Sequence, residues 1–588
     1  MILQALNDYY RRKCDDPDLA QRLPMFGLEQ KEIPFILEIN IEGKLQQLRD
    51  TRELQGKKKV AQSFRVPLGI KKTSGVAANL LWDTLEYVLG IDTKGNPKRV
   101  VEQHQAFCTR IAALPAAAHD DAGIQAVARF LQHIDLAQLA VQPAWADALE
   151  TNAVLSFRLQ GDQDLVCQRP AVVSAALNVP TDDEAHMAMC LVTGEQAPVE
   201  RLHASIKGVW GAQTSGANIV SFNARAFESY GKTERQGENA PVSRAAAFAY
   251  TTALNHLLRK DSTQRIQVGD ASTVFWSDKQ DAFEDIFGDI FKDNPDESTA
   301  AVNALLNAVN SGKLAGPEGD TRFHVLGLAP NAARISIRFY HCLPLRELGQ
   351  RIVRHFDDLS LARGPNDAQY PSLFRLLAAV AVQNKADNIP PNLGGAIVDA
   401  IFAGENVPYP SLWMNAAVGR CRAEQNVNYL RAAAIKACLR RHMRHTSVPS
   451  THQLIEQEFL PMLDLSNNNP AYRLGRLFAV LEKIQEEASP GLNATIRDRY
   501  YGAASSTPVA VFTTLLRLKN AHLKKLTTGR ANWFEKLLGE VLGPVADFPK
   551  HMPLPDQGRF ALGYYHQRQD FFTKKAVESI PTTEGTTP

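Results

Sequence analysis

Residues 203–243 concentrate side chains that form directed hydrogen bonds but are poor acids and bases. These amide, hydroxyl and ammonium side chains are Lys207, Gln213, Ser215, Asn218, Asn223, Lys232, Gln236 and Asn239. Glycines and aromatic residues, including Trp210 and Tyr230, are interspersed among them. Glycine lets a backbone approach a ligand closely, amides pair with base edges, and aromatic rings stack on bases or wedge between them. The segment therefore suits recognition of a nucleic acid without bond breaking. A structural interpretation is equally supported by composition alone, because Asn side chains also satisfy turns at a sheet edge.

Catalytic motifs are absent from the sequence. It contains no GxSxG, Walker A, GxGxxG or HExxH motif. We therefore expect a protein that is not an enzyme and that needs neither a metal nor another cofactor. The alternative is a metal-dependent nuclease, whose candidate residues are His119 and Asp120 together with His442 and His445.

A zinc site is a further alternative around the segment LVTGEQAPVERL. Cys190 and His203 flank this segment, and Cys167 could add a third ligand. Structural zinc sites use four ligands, so a plain turn at Thr193-Gly194 is the favoured interpretation.

Basic charge is sorted into three segments of a chain whose formal net charge is only +2. The segments are residues 54–82, 420–445 and 496–530. Because each phosphate neutralised by Lys or Arg releases counterions, this sorting predicts contact with a polynucleotide; the alternative is a solvated Lys-rich face. The third segment is the most specific, since it predicts a helix over 508–526 with Arg517 and Lys524 on one face. The apolar residues of another face are Phe512, Leu515, Leu516, Leu523 and Leu526.

The elements that carry these residues form more than one domain, because 588 residues exceed what one hydrophobic core supports. The predicted fold class is α+β: a mixed α/β N-terminal domain with short sheets and loops over 1–345, followed by an all-α part. That part comprises a helical domain over 346–462 and a C-terminal helical bundle over 463–588, with a linker near 463–472. IPFILEINIEGKLQQLRD predicts two strands around Glu42-Gly43, and AVLSFRLQGDQDLVC predicts a hairpin around Gly161-Asp162. RFHVLGLAPNAARISIRFY predicts two strands joined at Pro330-Asn331.

The cysteines and the chain's apolar runs predict a cytoplasmic protein. The seven cysteines are scattered without a CxxC pair, which fits a reducing compartment. The N-terminus lacks a signal-peptide core, and no run approaches the roughly 20 apolar residues of a membrane span.

Several long segments resemble one family. They are residues 190–258, which contain HASIKGVWGAQTSGANIVSFNARAFESYGKTERQGENAPVS, and the segments MILQALNDYY, KKTSGVAANLLWDTLEYVLG, NPAYRLGRLFAVLEKIQEEASPGLNATIRDRYYGAASSTP and DQGRFALGYYHQRQDFF. Over essentially the whole chain, the sequence resembles the large subunit of the type I-C CRISPR Cascade interference complex.

This resemblance implies a subunit that is not a nuclease but serves an RNA-guided surveillance complex. Guide RNA pairing reads the target while the large subunit recognises the protospacer-adjacent motif in duplex DNA. It also implies that the subunit promotes strand opening, stabilises the displaced strand of the R-loop and supports recruitment of the helicase-nuclease. The implied partners are guide RNA, target double-stranded DNA and its displaced single strand, the repeated backbone subunit, the guide-end-capping subunit, the small subunit and the helicase-nuclease, with no membrane. The remaining alternatives are the metal-dependent nuclease and a purely architectural protein-binding scaffold.

The resemblance further implies that the C-terminal bundle is similar to the complex's small subunit, which this family commonly makes from an internal start. Met462 is the first candidate for that start and Met443 the second. The acidic stretch 278–297 favours a solvated helix and loop; the alternative is a partner-facing patch, our candidate docking surface for the helicase-nuclease.

Roles for individual residues follow from combining the polar segments with the resemblance. The predicted DNA-binding residues are Lys71, Lys72, Ser74 and Asn79 near the motif, and Gln213, Ser215, Asn218 and Asn223 at base edges. The predicted contacts to DNA backbone or guide RNA are Lys207, Tyr230, Lys232, Gln236 and Asn239. The residues predicted to track a single strand are Arg497, Arg499, Arg517 and Lys524.

Overall fold

The computed structural model describes residues 2–18, 22–55, 58–70, 75–177, 186–222, 224–232, 237–268, 270–291, 295–311 and 313–572. The chain divides into two compact units. The first comprises residues 3–204 and 220–253, and the second comprises residues 205–219 and those from 254 onward. Within the described ranges, no helix combines the length and the apolar character that a membrane crossing needs.

A four-stranded sheet organises the first unit. Its order is β3-β2-β8-β7, formed by Phe35–Ile39 (β2), Leu45–Asp50 (β3), Trp82–Thr84 (β7) and Val154–Leu159 (β8). β2 pairs antiparallel with β3 and parallel with β8. Nearly every residue of β2 and most of β8 are buried, which is typical of strands at the centre of a sheet and explains their largely apolar composition. The two strands predicted around Glu42-Gly43 are therefore confirmed.

The hairpin predicted around Gly161-Asp162 is wrong. β8 pairs with β2 over residues 155–159 and with β7 over residues 154–156, and residues 160–177 contain no strand. The apolar residues that follow are instead buried in a short 3₁₀ turn, Val166–Gln168. The Gln168 side chain accepts the backbone N–H of Leu165 at 2.9 Å and closes this turn.

The other elements of the first unit are short strands and surrounding helices. The strands are Leu28–Glu32 (β1), Glu53–Gln55 (β4), Lys58–Val60 (β5), Ser63–Pro67 (β6), Met187–Met189 (β9) and Gln196–Pro198 (β10). The helices are Ile2–Cys14 (α1), Leu85–Val88 (α2), Pro97–Ala112 (α3), Ala116–His119 (α4), Ala122–Gln132 (α5), Leu136–Ala140 (α6), Trp145–Glu150 (α7) and Pro170–Leu177 (α8). Arg244–Leu257 (α9) follows and leads the chain into the second unit.

An antiparallel sheet of four strands begins the larger part of the second unit. The strands run in sequence order: Arg265–Val268 (β11), Ala271–Ser277 (β12), Arg322–Asn331 (β13) and Arg334–Pro344 (β14). Every residue of β12 is buried. The two strands predicted within 322–340 are confirmed, although the turn between them falls at residues 332–333, just after the predicted Pro330-Asn331.

Helices form the rest of the second unit and confirm the helical character predicted after Leu345. They are Phe283–Phe291 (α10), Pro295–Asn310 (α11), Leu345–Leu359 (α12), Leu373–Val380 (α13), Leu393–Ala403 (α14), Ser411–Ala423 (α15), Tyr429–Thr446 (α16), His452–Glu458 (α17), Pro470–Ala488 (α18), Ile496–Ala504 (α19), Pro508–Leu523 (α20), Thr528–Leu542 (α21) and Leu554–Phe572 (α22). One apolar cluster extends from β11 through α22. The α+β fold class is confirmed, while the domain boundaries after residues 345 and 462 stay predictions.

Candidate nucleic-acid interface

Three of the predicted recognition side chains lie on one loop of the second unit, residues 207–216, which we call the Gly-rich loop. Ile206 and Ala217 close it by pairing in both directions, with N–H to carbonyl distances of 2.8 and 2.9 Å. Both closing residues are buried. The loop is therefore clamped at its base by two apolar anchors.

The course of this loop depends on glycine at two positions. Gly208 has φ +86°, and a Cβ there would lie 2.6 Å from the carbonyl oxygen of Leu258. Gly216 has φ +93°, and a Cβ there would lie 2.8 Å from Ser205 Cβ. Any other L-residue would be strained in its backbone and would also clash.

Two side chains distant in sequence hold the loop backbone in place. The backbone N–H of Lys207 donates to Asn255 Oδ1 at 2.8 Å, and Asn255 Nδ2 donates to the Ser205 carbonyl at 3.2 Å. The backbone N–H of Trp210 donates to Ser272 Oγ at 2.9 Å. Sequence reasoning missed Asn255 and Ser272, since no local signal links residues 48 and 62 positions apart to this loop.

Four polar or aromatic side chains of the loop are exposed to solvent while the loop backbone is held by the protein. Lys207, Gln213 and Ser215 are exposed, and Trp210 keeps 60% of its surface accessible. None of the four side chains has a hydrogen bond or ion pair with a described residue. An amide, a hydroxyl, an ammonium group and an indole are thus presented together on a fixed backbone.

Asn218 has a different environment from Gln213 and Ser215. It is half-buried and forms a parallel bridge with Arg334, and its carbonyl accepts the N–H of Ile335 at 3.0 Å. The structural interpretation, a residue at the edge of a sheet, therefore describes the backbone of Asn218.

A tight turn in the first unit presents Tyr230. The Ser229 carbonyl accepts the N–H of Lys232 at 3.1 Å, and the two central residues have φ values of +57° for Tyr230 and +70° for Gly231. Two successive positive φ values are typical of a type I′ turn. Tyr230 is 95% exposed, so a bulky ring occupies a strained and fully solvated position.

The predicted contacts Lys232 and Asn239 are engaged with the Tyr230 turn itself. Asn239 Nδ2 donates to the carbonyl and the hydroxyl of Ser229 at 3.0 and 2.8 Å. Lys232 Nζ donates to the Glu238 carbonyl at 3.3 Å. Both residues thus position Tyr230, whatever else they contact.

Asn79 is buried, which revises the direct duplex contact predicted for it. It is 5% exposed; its Oδ1 accepts the N–H of Ile70 at 3.0 Å, and its own N–H donates to Asp83 Oδ2 at 2.9 Å. We therefore assign Asn79 a positioning role. The other predicted residues Lys71, Lys72, Ser74, Asn223 and Gln236 lie outside the described residues.

Three of the four cations predicted to track a strand are free on the surface of the second unit. Arg499, Arg517 and Lys524 are exposed and form no ion pair with a described residue. The helix predicted over 508–526 is α20, which ends at Leu523, and its apolar face is confirmed as the buried one.

Arg497, in contrast, interacts with a buried carboxylate of the protein itself. Its Nε lies 3.8 Å from Glu482 Oε1, and Glu482 is completely buried. Glu482 also accepts hydrogen bonds from Tyr564 at 2.6 Å and Thr495 at 2.9 Å. Arg497 therefore helps to neutralise a buried carboxylate, and a contact to nucleic acid is at most its second role.

The surface role predicted for the basic segment 420–445 is wrong for most of its cations. Arg431, Lys436, Arg441 and Arg444 are buried on α16. Arg444 pairs with Asp358 at 2.5 Å, and Lys436 Nζ donates to the Asp358 carbonyl at 3.1 Å. Burial, reinforced by the charge of Arg440, lowers the pKa of Lys436 to about 7. Lys436 thus satisfies a backbone carbonyl at the C-terminal end of α12, which needs a partner, and Arg444 neutralises the Asp358 carboxylate, so the charge is used internally.

The residues considered for metal sites have protein partners or lie apart. Cys190 Sγ accepts the N–H groups of Ser243 at 3.2 Å and Val192 at 3.4 Å. Burial raises the pKa of this thiol, but the hydrogen bonds from Ser243 and Thr193 outweigh it and bring the pKa to about 7. His203 Nδ1 shares a hydrogen bond with the Tyr250 hydroxyl at 2.6 Å, and Cys167 is buried beside Ser156.

The candidate nuclease residues have the following surroundings. His119 Nε2 lies 3.2 Å from the Ala112 carbonyl, and His442 and His445 are exposed on α16. In the part of the chain that the structure describes, no group of three or more His, Cys, Asp or Glu side chains is placed to hold a metal ion.

Comparison with known families identifies the context in which this chain works. The model of the family described as CRISPR-associated protein (Cas_Csd1) matches residues 6–572. The chain therefore belongs to this family of CRISPR-associated proteins. Among curated proteins, none matches the chain.

Proposed function

We propose that this chain is the non-catalytic large subunit of a type I-C Cascade complex in the cytoplasm. In this role it recognises the protospacer-adjacent motif in duplex DNA, promotes strand opening, stabilises the displaced strand and supports recruitment of the helicase-nuclease. The family match supports the CRISPR context, and the resemblance of the long segments described above supports the specific subunit.

The single observation that carries the proposal is the Gly-rich loop. Its backbone is clamped by Asn255 and Ser272, while Lys207, Trp210 and Gln213 remain exposed without partners among the described residues. A loop backbone that is already fixed loses little conformational entropy on binding. Gln pairs with base edges and Lys reaches phosphate, so this loop is our candidate for reading the motif.

Strand opening and strand holding are assigned to two other surfaces. The exposed ring of Tyr230 suits insertion beside an unstacked base. Arg499, Arg517 and Lys524 suit a sequence-independent hold on phosphates, because they are cations without competing carboxylates within the described residues.

The small subunit is proposed to arise from the same reading frame. Met462 lies in the segment between the end of α17 at Glu458 and the start of α18 at Pro470. A start there would yield α18–α22 intact, whereas a start at Met443 would begin within α16. Replacing the Met462 codon should remove a second, shorter polypeptide that comprises the C-terminal helices. Persistence of that polypeptide would point to another start.

The test is motif-dependent binding by the assembled complex with guide RNA. Duplexes with a randomised motif are bound by complexes that carry Gln213→Ala, with Thr214→Ala as the exposed control on the same loop. Loss of a base reader should cost about 1–3 kcal/mol on the preferred motif and flatten the preference. A wild-type complex without any motif preference, or an unchanged preference in Gln213→Ala, would contradict the proposal.

A further inference from the structure

A groove of about 500 Å³ lies in the first unit between α3 and the segment that precedes β7. Ile70, Ala77 and Ala78 form one wall, and Gln105, Thr109 and Arg110 of α3 line the other. This volume falls within the roughly 300–1,000 Å³ of pockets that hold small ligands. The groove is large enough for part of a polymer to enter it.

Arg110 is the chemically conspicuous residue of the groove. Its side chain is half-buried, and its guanidinium has no hydrogen bond or ion pair with a described residue. Burial lowers the pKa of Arg110, an effect that the charge of Asp83 partly offsets. A partly desolvated cation without a directly bonded anion is unfavourable, so an anion that entered the groove would relieve this cost.

Charge varies along the groove in a direction that orients such a ligand. Glu102 lies on the same helix as Arg110, eight residues earlier, which corresponds to about 12 Å along the axis. An anion is therefore attracted to the Arg110 end and repelled from the Glu102 end. Between them, Gln105 and Thr109 offer hydrogen-bonding groups, and the small side chains of Ala77 and Ala78 leave room for close approach.

Two hydrogen bonds hold the described residues of the opposite wall. Ile70 is fixed by the hydrogen bond from its N–H to Asn79 Oδ1 at 3.0 Å. Trp82 Nε1 donates to the Pro67 carbonyl at 2.8 Å, which ties the two ends of this segment together. In the sequence, Ile70 directly precedes the two lysines predicted for duplex contact, which favours DNA as the source of the anion.

We propose that this groove binds a backbone phosphate of duplex DNA at Arg110, with Gln105 and Thr109 donating to neighbouring phosphate or sugar oxygens. These side-chain types are the ones that position proteins on a nucleic-acid backbone without reading sequence. The inference rests on the proposed function and adds an anchoring site that is independent of the Gly-rich loop.

The experiment measures DNA affinity as a function of salt for the full chain assembled in its complex. Arg110→Gln is compared with Arg110→Lys, and with Arg99→Gln as an exposed control on the same helix outside the groove. Arg110→Gln should weaken binding at least about tenfold on every motif sequence, since hydrogen bonds to charged groups contribute about 1.5–3 kcal/mol. It should also reduce the slope of log affinity against log salt by about 0.9. Arg110→Lys should retain the slope, and Arg99→Gln should match the wild type.

Other results separate this inference from the proposed function. If Arg110→Gln binds like Arg99→Gln while motif preference persists, the groove inference is overturned and the proposed function stands. If the wild-type complex shows no motif preference, the proposed function is contradicted, whatever the result for Arg110→Gln. Glu102→Gln removes a negative charge from the groove and should tighten DNA binding at low salt, a gain that a folding defect could not produce. Unchanged affinity of Glu102→Gln at low salt would also overturn the inference. A loss confined to guide RNA loading, with duplex binding intact, would assign the phosphate to RNA and overturn the DNA site.

Discussion

The backbone N–H of Trp210 donates to the hydroxyl of Ser272 at 2.9 Å. This bond ties the backbone of a residue with an exposed indole to the completely buried strand β12. Ser272→Ala should leave that N–H unpaired, at a cost of about 1–3 kcal/mol if it stays buried. We expect weaker motif discrimination and faster trypsin cleavage after Lys207, measured by competition binding and limited proteolysis. Ser156→Ala, which removes an equally buried hydroxyl from the first unit, should leave discrimination intact. Equal motif discrimination by Ser272→Ala and Ser156→Ala would show that the hydrogen bond between Trp210 and Ser272 does not contribute to recognition.

Gly216 provides a sharper test of the same loop. Gly216→Ala introduces a Cβ 2.8 Å from Ser205 Cβ at φ +93°, so the loop should rearrange and motif preference should fall. Gly539→Ala is the matched control, because this glycine lies in the interior of α21 with no atom near its Cβ position. It should leave binding unchanged and stabilise the helix by about 0.5–1 kcal/mol. Retained preference in Gly216→Ala would contradict the proposed role of the loop.

Tyr230→Asn should separate stability from function. Asn-Gly is the preferred pair for turns with two positive φ values, so this variant should resist unfolding at least as well as the wild type. Loss of the ring should nevertheless slow strand opening. The opening is measured by the fluorescence of a 2-aminopurine base placed beside the motif in the duplex. Tyr230→Phe keeps the ring and should behave as the wild type. Normal opening by Tyr230→Asn would remove the aromatic contact from the mechanism.

Lys524 and Arg497 should respond differently, although both are cations predicted to follow a strand. Lys524→Ala should weaken binding to every sequence and reduce the salt slope by about one. Arg497→Ala should instead lower thermal stability, because it removes a cation from the buried Glu482. Lys519→Ala is the control for an engaged lysine, since its Nζ lies 2.6 Å from Glu535. Equal salt slopes for Lys524→Ala and wild type would contradict the proposed strand hold.

Acid should destabilise the fold through buried histidines. Burial lowers the pKa of His203 to about 4 and the pKa values of His355 and His566 to about 3. The unfolded chain, with His pKa near about 6.5, therefore binds more protons below that pH. Stability is present above pH about 6.5 and falls as pH drops towards 3–4, by up to about 1.4 kcal/mol per pH unit for each group. Urea midpoints between pH 7.5 and 5 should show a smaller slope for His355→Phe than for His445→Phe, an exposed control; equal slopes would contradict this.

Sequence patterns predicted those elements whose partners lie nearby in the chain. The strands on either side of Gly43, the strands β13 and β14, and the inward face of α20 each follow from local periodicity. The strand β8 is predicted correctly, but its partner is not, because β2 and β7 are 70 or more residues away and nothing in the local pattern reveals them. Apolar residues after a turn predict a second strand equally well whether or not an edge is available.

The features of the candidate site likewise fall into those that the sequence predicts and those that depend on distant residues. The exposed side chains Lys207 and Gln213 could be predicted because residue type and glycine spacing are local properties. The braces Asn255 and Ser272, and the lack of a bonded partner for Arg110 among the described residues, depend on tertiary contacts. The surface role predicted for the cations of α16 is wrong because Arg431 and Lys436 donate to carbonyl groups of the protein's own interior. A sequence shows which residues are cationic but not which acceptors they contact.

The chain crosses between its two units at residues 204/205, 219/220 and 253/254. The ribosome therefore completes neither unit before it has begun the other, and the Gly-rich loop is made between two pieces of the first unit. A single cut at 253/254 would leave all of the first unit on one fragment, but it would remove residues 205–219, and with them the Gly-rich loop, from the second unit. A fragment that begins after the first unit ends therefore lacks the loop, so the role of the loop has to be tested by point substitution in the full chain.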